Sequence, residues 1–204
     1  MLYVSESFLQ KAVGLISTLV LARVLVPEDF GLVAMATIFT GFLNLLANQG
    51  GRDYILRAES IDDDMVNTNW TINFMLRASI AMMIALSAPL VAKHFGDQRL
   101  INILYFYSFA ALITALENPG LELLKREQNV LPIVINNIIG KTLAVITAIT
   151  IALVYESYWA LIIGLFISQA TRAIGSYFIH SFRPWFCLRD YNCLLYTSPS
   201  PRDA

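Results

Sequence analysis

Apolar runs separated by short polar breaks fill almost the whole chain, and their lengths decide what kind of element each one is. Six such runs occupy residues 8–26, 30–47, 70–92, 100–116, 130–155 and 158–180. A helix rises about 1.5 Å per residue, so runs of roughly 17–25 residues match the ~30 Å hydrocarbon core of a bilayer. The pattern therefore predicts six transmembrane helices. The breaks carry turn chemistry: Pro27 after the first run, a polar stretch over residues 48–69, the Asn118, Pro119, Gly120 group, and a short turn before Tyr158. Proline lacks an N–H and suits the start of a helix after a turn, as Pro27 does here.

Composition agrees with that reading. Hydrophobic residues make up 57% of the chain against 14% charged, and the mean hydropathy of +0.61 exceeds what a soluble domain uses. The expected fold is an all-α polytopic membrane protein, with residues 1–192 forming one six-helix lobe. A net charge of −1 with scattered basic residues gives no footprint for nucleic acid. Cys187 and Cys193 sit together near the end, without a His pair, and suggest neither a disulfide framework nor a zinc site. Glu6 and Lys11 lead straight into the first helix without a cleavage pattern, so no secretory signal is read. Orientation follows from Lys and Arg alone. With the N-terminus inside, the cytoplasmic connections hold six (Arg52, Arg57, Lys125, Arg126, Arg183, Arg189) and the other side three (Arg23, Lys93, Arg99).

Charge inside the spans is what points to function. Arg77, Lys141 and Arg172 lie within apolar runs, with no acidic residue at comparable depth. A centrally placed cation costs roughly 2.5–3.5 kcal/mol on insertion scales, so such residues normally face protein or a watery cavity. At 1.5 Å per residue Arg77 comes about 10 Å from the inner boundary, Lys141 about 15 Å, and Arg172 about as deep as Arg77. A cavity lined by cations suits an anionic occupant, and Lys141, Arg77 and Arg172 are the candidate substrate-binding residues. Their helices carry small or polar stripes at helical spacing: Asn69, Asn73, Arg77; Asn137, Lys141, Ala144, Ala148; Gly164, Ser168, Arg172, Ser176 with Gln169 beside them; and Lys11, Gly14, Thr18, Ala22. A further stripe runs Thr37, Gly41, Asn44, Asn48. Lys11, Asn73, Asn137, Ser168 and Gln169 are accordingly candidate cavity-lining residues. Small residues also make packing seams, and long cationic side chains near helix ends snorkel to the interface, so those alternatives stand beside the cavity for the stripes, Arg77 and Arg172. Lys141 lies too deep for its stem to reach the headgroups.

No constellation for catalysis is present. Asp62, Asp63 and Asp64 point about 100° apart if helical, which suits a solvated helix start, with Ser60 and Asp63 at capping-box spacing, rather than metal ligation. His94 and His180 fall near helix ends without a carboxylate partner. No cofactor or metal site is expected.

The segment LARVLVPEDFG, Leu21 to Gly31, resembles the connection between the first two helices of polysaccharide and lipid-linked oligosaccharide exporters. Similarity continues through GLVAMATIF, NQGGRDYILR, VNTNWTINFMLR, APLVAKHFGD, LELLKREQN and YWALIIG, in that order. These proteins belong to the multidrug/oligosaccharidyl-lipid/polysaccharide exporter superfamily, whose members have two six-helix lobes. The resemblance implies the N-terminal lobe of a flippase in the bacterial plasma membrane. It further implies an undecaprenyl-diphosphate-linked oligosaccharide as substrate, for lipopolysaccharide or exopolysaccharide synthesis, with a second lobe of the same polypeptide as partner. A drug exporter of the same superfamily is the alternative, disfavoured by the intramembrane cations. A membrane polymerase or ligase of saccharide assembly is another, disfavoured by the lack of a large external loop. Residues 193–204, CLLYTSPSPRDA, resemble translated adapter sequence, with a native disordered tail as the alternative, and are set apart from the fold.

Overall fold

The computed structural model describes residues 2–47, 55 and 61–188. Seven helices and no strand occur among the described residues: α1 (Leu2–Val24), α2 (Pro27–Ala47), α3 (Asp63–Phe95), α4 (Arg99–Ala115), α5 (Gly120–Arg126), α6 (Leu131–Tyr155) and α7 (Trp159–Ile179). The expected boundary residues Arg52, Arg57, Ser60, Asn48, Arg189 and Cys193 lie outside the described residues.

Local chemistry accounts for the helix ends. Pro27 opens α2, and Glu28 and Asp29 follow in its first turn, where the helix dipole favours negative charge. Asp62 caps α3 from an extended backbone and accepts from the Asp63 N–H at 2.8 Å, while Asp63 and Asp64 occupy the first turn. The three aspartates thus form a helix start, with Asp62 as its cap. Gly96, at φ 74°, ends α3 in the left-handed conformation and donates to the Ala92 carbonyl.

Among the described residues, four helices are long and apolar enough to cross a membrane: α1 over Glu6–Val24, α3, α6 and α7. A fifth crossing results if α4 and α5, bent by 58°, are taken together. The expectation of six is met only to that extent. At 17 residues α4 measures about 25 Å, short of a full core by itself.

Two boundaries differ from the sequence reading. The third helix starts at Asp63 rather than at residue 70, and at 33 residues it is about 50 Å long. Its first turns are polar yet buried from Met65 to Thr71, because the extended segment 180–188 lies against them. The Trp185 N–H donates to Asn67 Oδ1 at 3.0 Å and the Cys187 N–H to Thr71 Oγ1 at 3.1 Å. Phe186 stacks into Trp70 and Phe74 with ring centroids 5.1 and 5.3 Å away. The second difference is α5, a helix inside what reads as a polar connection.

Packing forms two larger clusters among the described residues, with a small third of Leu121, Leu124 and Ile133 where α5 meets α6. Leu32, Ala36, Ile80, Ile84, Ala88, Leu100, Ile103 and Leu104 join α2, α3 and α4, with Ile162 of α7 bridging to them. Leu21, Leu25, Ala148, Ala152 and Ala160 join α1 and α6 to the start of α7. The α6–α7 pair is the most closely packed of all. Small residues permit this: a Cβ at Gly164 would fall 2.9 Å from Ala148 Cβ and 3.1 Å from the Ala144 carbonyl. Large apolar side chains such as Leu86, Leu90, Leu153, Val154 and Phe178 point outward and are exposed. That is the surface a bilayer covers, and the molecule is a multi-pass helical membrane protein.

Candidate functional site

Three small-residue stripes meet where α1, α6 and α7 adjoin. Between them lies a groove of about 400 Å³, lined by Gly14, Ser17, Thr18 and Leu21 of α1, by Lys141, Ala144, Val145 and Ala148 of α6, and by Leu161, Gly164, Leu165, Ser168, Gln169 and Arg172 of α7. The stripes share faces because each repeats every three or four residues. Their small side chains leave the space, and two cations, Lys141 of α6 and Arg172 of α7, line it. No carboxylate is among the lining residues.

Lys141 is half-buried and Arg172 exposed. The Lys141 ammonium reaches across to α1, where a Cβ placed on Gly14 would lie 3.6 Å from Nζ. The ammonium thus lies close against α1, at a distance that even an alanine methyl at position 14 would accept as ordinary contact. Thr18 donates to its own helix at the Gly14 carbonyl, 2.9 Å. Asn136 of α6 is buried and donates to the Arg172 carbonyl at 3.2 Å, tying α6 to α7 beside the groove. Gln169 Oε1 is buried and has no hydrogen-bond partner.

The structure brings four of the eight candidate residues into this groove: Lys141, Arg172, Ser168 and Gln169. The other four lie elsewhere. Lys11 is exposed on α1, outside the lining. Asn137, one turn below Lys141, donates instead to Glu6 Oε1 at 2.8 Å, and Gln10 donates to the same oxygen at 2.8 Å. Arg77 and Asn73 line a separate recess of about 40 Å³ together with Asn69, Trp70, Glu117, Asn118 and Glu122. Arg77 thus shares its surroundings with two carboxylates from the α4–α5 corner, a different setting from the acid-free groove.

Sequence reasoning missed two features here. Glu6 is 7% exposed, although its place near the start of the first helix reads as a solvated terminus. Its signal was the spacing to Gln10, four residues on and so on the same face. The groove wall on α1 is built by Gly14, Ser17 and Thr18 rather than Lys11, and the stripe through Gly14 and Thr18 was the signal.

A second charged cluster lies where α1 meets α2. Arg99 at the start of α4 pairs with Glu28, with Asp97 at 2.8 Å, and lies 3.9 Å from Asp29. Hydrogen bonds from Arg99 hold the Asp97 carboxyl below its ordinary value. This ties the Pro-Glu-Asp turn to the α3–α4 turn. Among the described residues no group of His, Cys, Asp and Glu is arranged to hold a metal ion.

Helices too apolar for water, with a groove between them whose charged lining residues, Lys141 and Arg172, are both basic, define a membrane protein with a cationic recess. The chain belongs to the polysaccharide biosynthesis protein family, whose model matches residues 20–194. It is similar to the succinoglycan biosynthesis transport protein ExoT of Rhizobium meliloti (strain 1021), with 25% identity over 167 residues covering 82% of this chain and 34% of that protein. The chain therefore spans about a third of the length of this curated relative. No solved structure matches it.

Proposed function

We propose that the chain is the N-terminal lobe of a two-lobe, six-plus-six-helix flippase in the bacterial plasma membrane. The flippase moves an undecaprenyl-diphosphate-linked oligosaccharide from the cytoplasmic to the outer leaflet for exopolysaccharide or lipopolysaccharide synthesis. The observation that carries this reading is the groove between α1, α6 and α7, with Lys141 and Arg172 on its walls and no carboxylate in its lining. A diphosphate suits such a site because its charges meet cations whose burial is otherwise costly. Family membership and a relative named as a transport protein support transport in polysaccharide synthesis.

In mechanism, the N-terminus lies in the cytoplasm and the groove opens inward. Lys141 and Arg172 take the diphosphate, the saccharide occupies the hydrated space beside them, and the lipid tail stays in the bilayer. A second lobe closes the groove, and rocking of one lobe on the other transfers access to the opposite side. Arg77, in its recess with Glu117 and Glu122, helps hold the α3–α4–α5 corner and stands apart from the substrate.

Complementation of a flippase-deficient strain by the full-length protein tests this, with membrane abundance measured alongside. Lys141→Ala abolishes export at near-normal abundance, while Lys141→Arg keeps part of it, since charge is retained and shape changes. Full complementation by Lys141→Ala at normal abundance refutes the role assigned to this residue.

A further inference from the structure

We infer that Asn136 is a register pin, a positioning residue that keeps Arg172 level with Lys141 and acts on the substrate only through Arg172. This rests on the groove being the anion site proposed above. Contacts along the α6–α7 seam run in opposite directions on the two helices: Gly164 against Ala148, Gly140 against Ser168 and Thr171, and Gly175 against Asn136. A Cβ at Gly140 would stand 3.2 Å from the Ser168 carbonyl and 3.4 Å from Thr171 Cβ. Lys141 and Arg172 are the next residues after Gly140 and Thr171, so their backbones lie within roughly 3 Å along the helix axis.

Contacts between small apolar surfaces resist separation of two helices more than sliding. A buried amide adds what they lack, because its bond is directional and breaking it in an apolar setting leaves polar groups unpaired. A single Asn fixes the register of paired helices in this way. Asn136 is 8% exposed, and it donates to the carbonyl of Arg172 itself, at 3.2 Å. Gly175, one turn further along α7, makes the room: a Cβ there would stand 2.0 Å from Asn136 Oδ1 and 2.6 Å from its Cγ. Any side chain at position 175 therefore expels the amide. Without the pin, a slip of α7 by one residue carries Arg172 about 1.5 Å along the groove.

The test is a double-mutant cycle on the full-length protein in nanodiscs, with undecaprenyl diphosphate as the probe. Arg172→Ala weakens binding about tenfold, and Asn136→Ala about fivefold. In the Arg172→Ala background Asn136→Ala changes binding by less than about 1.5-fold, because the group it positions is gone. In the Lys141→Ala background its fivefold effect persists. A merely structural role weakens binding by the same factor in every background. Gly175→Ala displaces the same amide, so it reproduces Asn136→Ala and adds nothing to it.

Equal losses with and without Arg172 overturn the inference, and so does unchanged binding in Asn136→Ala. If Asn136→Ala does not accumulate, Gly175→Ala decides through the same cycle. Normal binding by Arg172→Ala leaves Asn136 no contact to position and sinks the inference, while weakened binding by Lys141→Ala keeps the groove reading. A Lys141→Ala variant that binds the probe normally sinks the groove reading itself.

Discussion

Gly164→Ala tests the contact that positions both walls of the groove. An added Cβ would stand 2.9 Å from Ala148 Cβ and 3.1 Å from the Ala144 carbonyl. The first distance is closer than carbon atoms approach, and the second involves backbone, so α6 and α7 must separate by a few tenths of an ångström. Overpacking of this kind costs about 1–3 kcal/mol. Alanine returns at most about 1 kcal/mol through helix propensity, which leaves a net loss of about 1–2 kcal/mol. Ala148→Gly removes the nearer of the two contacts. Combined with Gly164→Ala it should recover part of the loss, giving a coupling of about 1 kcal/mol between sites that touch. Thermal denaturation of the full-length protein in detergent, run on both single variants and the double, measures the cycle. A Gly164→Ala midpoint equal to wild type, or strictly additive effects, would falsify the α6–α7 packing described above.

Two further outcomes concern the ends of the bundle. Asp97, in the turn outside the spans, has its carboxyl held below the ordinary value by Arg99, so its contribution to stability is complete above about pH 4 and is lost as pH falls through the lowered value. Asp97→Asn should abolish that part of the acid loss in a pH series of melting midpoints, and the effect is small because the pair is largely exposed; an unchanged acid limb in Asp97→Asn contradicts the clamp. For topology, cysteines placed at Asp63 and Arg126 in a background lacking Cys187 and Cys193 should react with impermeant reagent only from the cytoplasmic side, and labelling of both from outside reverses the orientation together with the inner-leaflet loading that depends on it.

The apolar periods made most of the helices legible, since runs longer than a soluble helix needs have few other uses. Asp62, Asp63 and Asp64 read as a helix start, but the apolar periods did not join it to the span beginning at residue 70, because residues 65–71 include Asn67, Thr68, Asn69 and Thr71 and read as a connection. Their burial comes from segment 180–188, more than a hundred positions away, whose backbone N–H groups bond Asn67 and Thr71. Helix α5 was hidden for a related reason: seven residues are too few for a period to stand out, and Leu121 and Leu124 are buried by contact with Ile133. At the site, helical spacing was enough to align Lys141 with Ala144 and Ala148, and Arg172 with Gly164 and Ser168. Spacing within one helix carries no information about which stripes meet. The placement of Arg77 away from the groove depends on α3 packing against α4, and a single chain read without contacts cannot supply it.

That separation changes what the intramembrane cations mean. Three unpaired charges at similar depth would argue for one broad basic cavity. Instead, Arg77 lines a recess that Glu117 and Glu122 of the α4–α5 corner also line, separate from the acid-free groove. Glu6 is held by Gln10 and Asn137 below the groove. What stays without a carboxylate in the groove lining is Lys141 of α6 with Arg172 of α7. The half-buried ammonium bears the larger desolvation cost, whereas the exposed guanidinium retains water. An arriving anion therefore gains most at Lys141, and a carrier that must also release its cargo is served by a second contact, at Arg172, weak enough for water to replace.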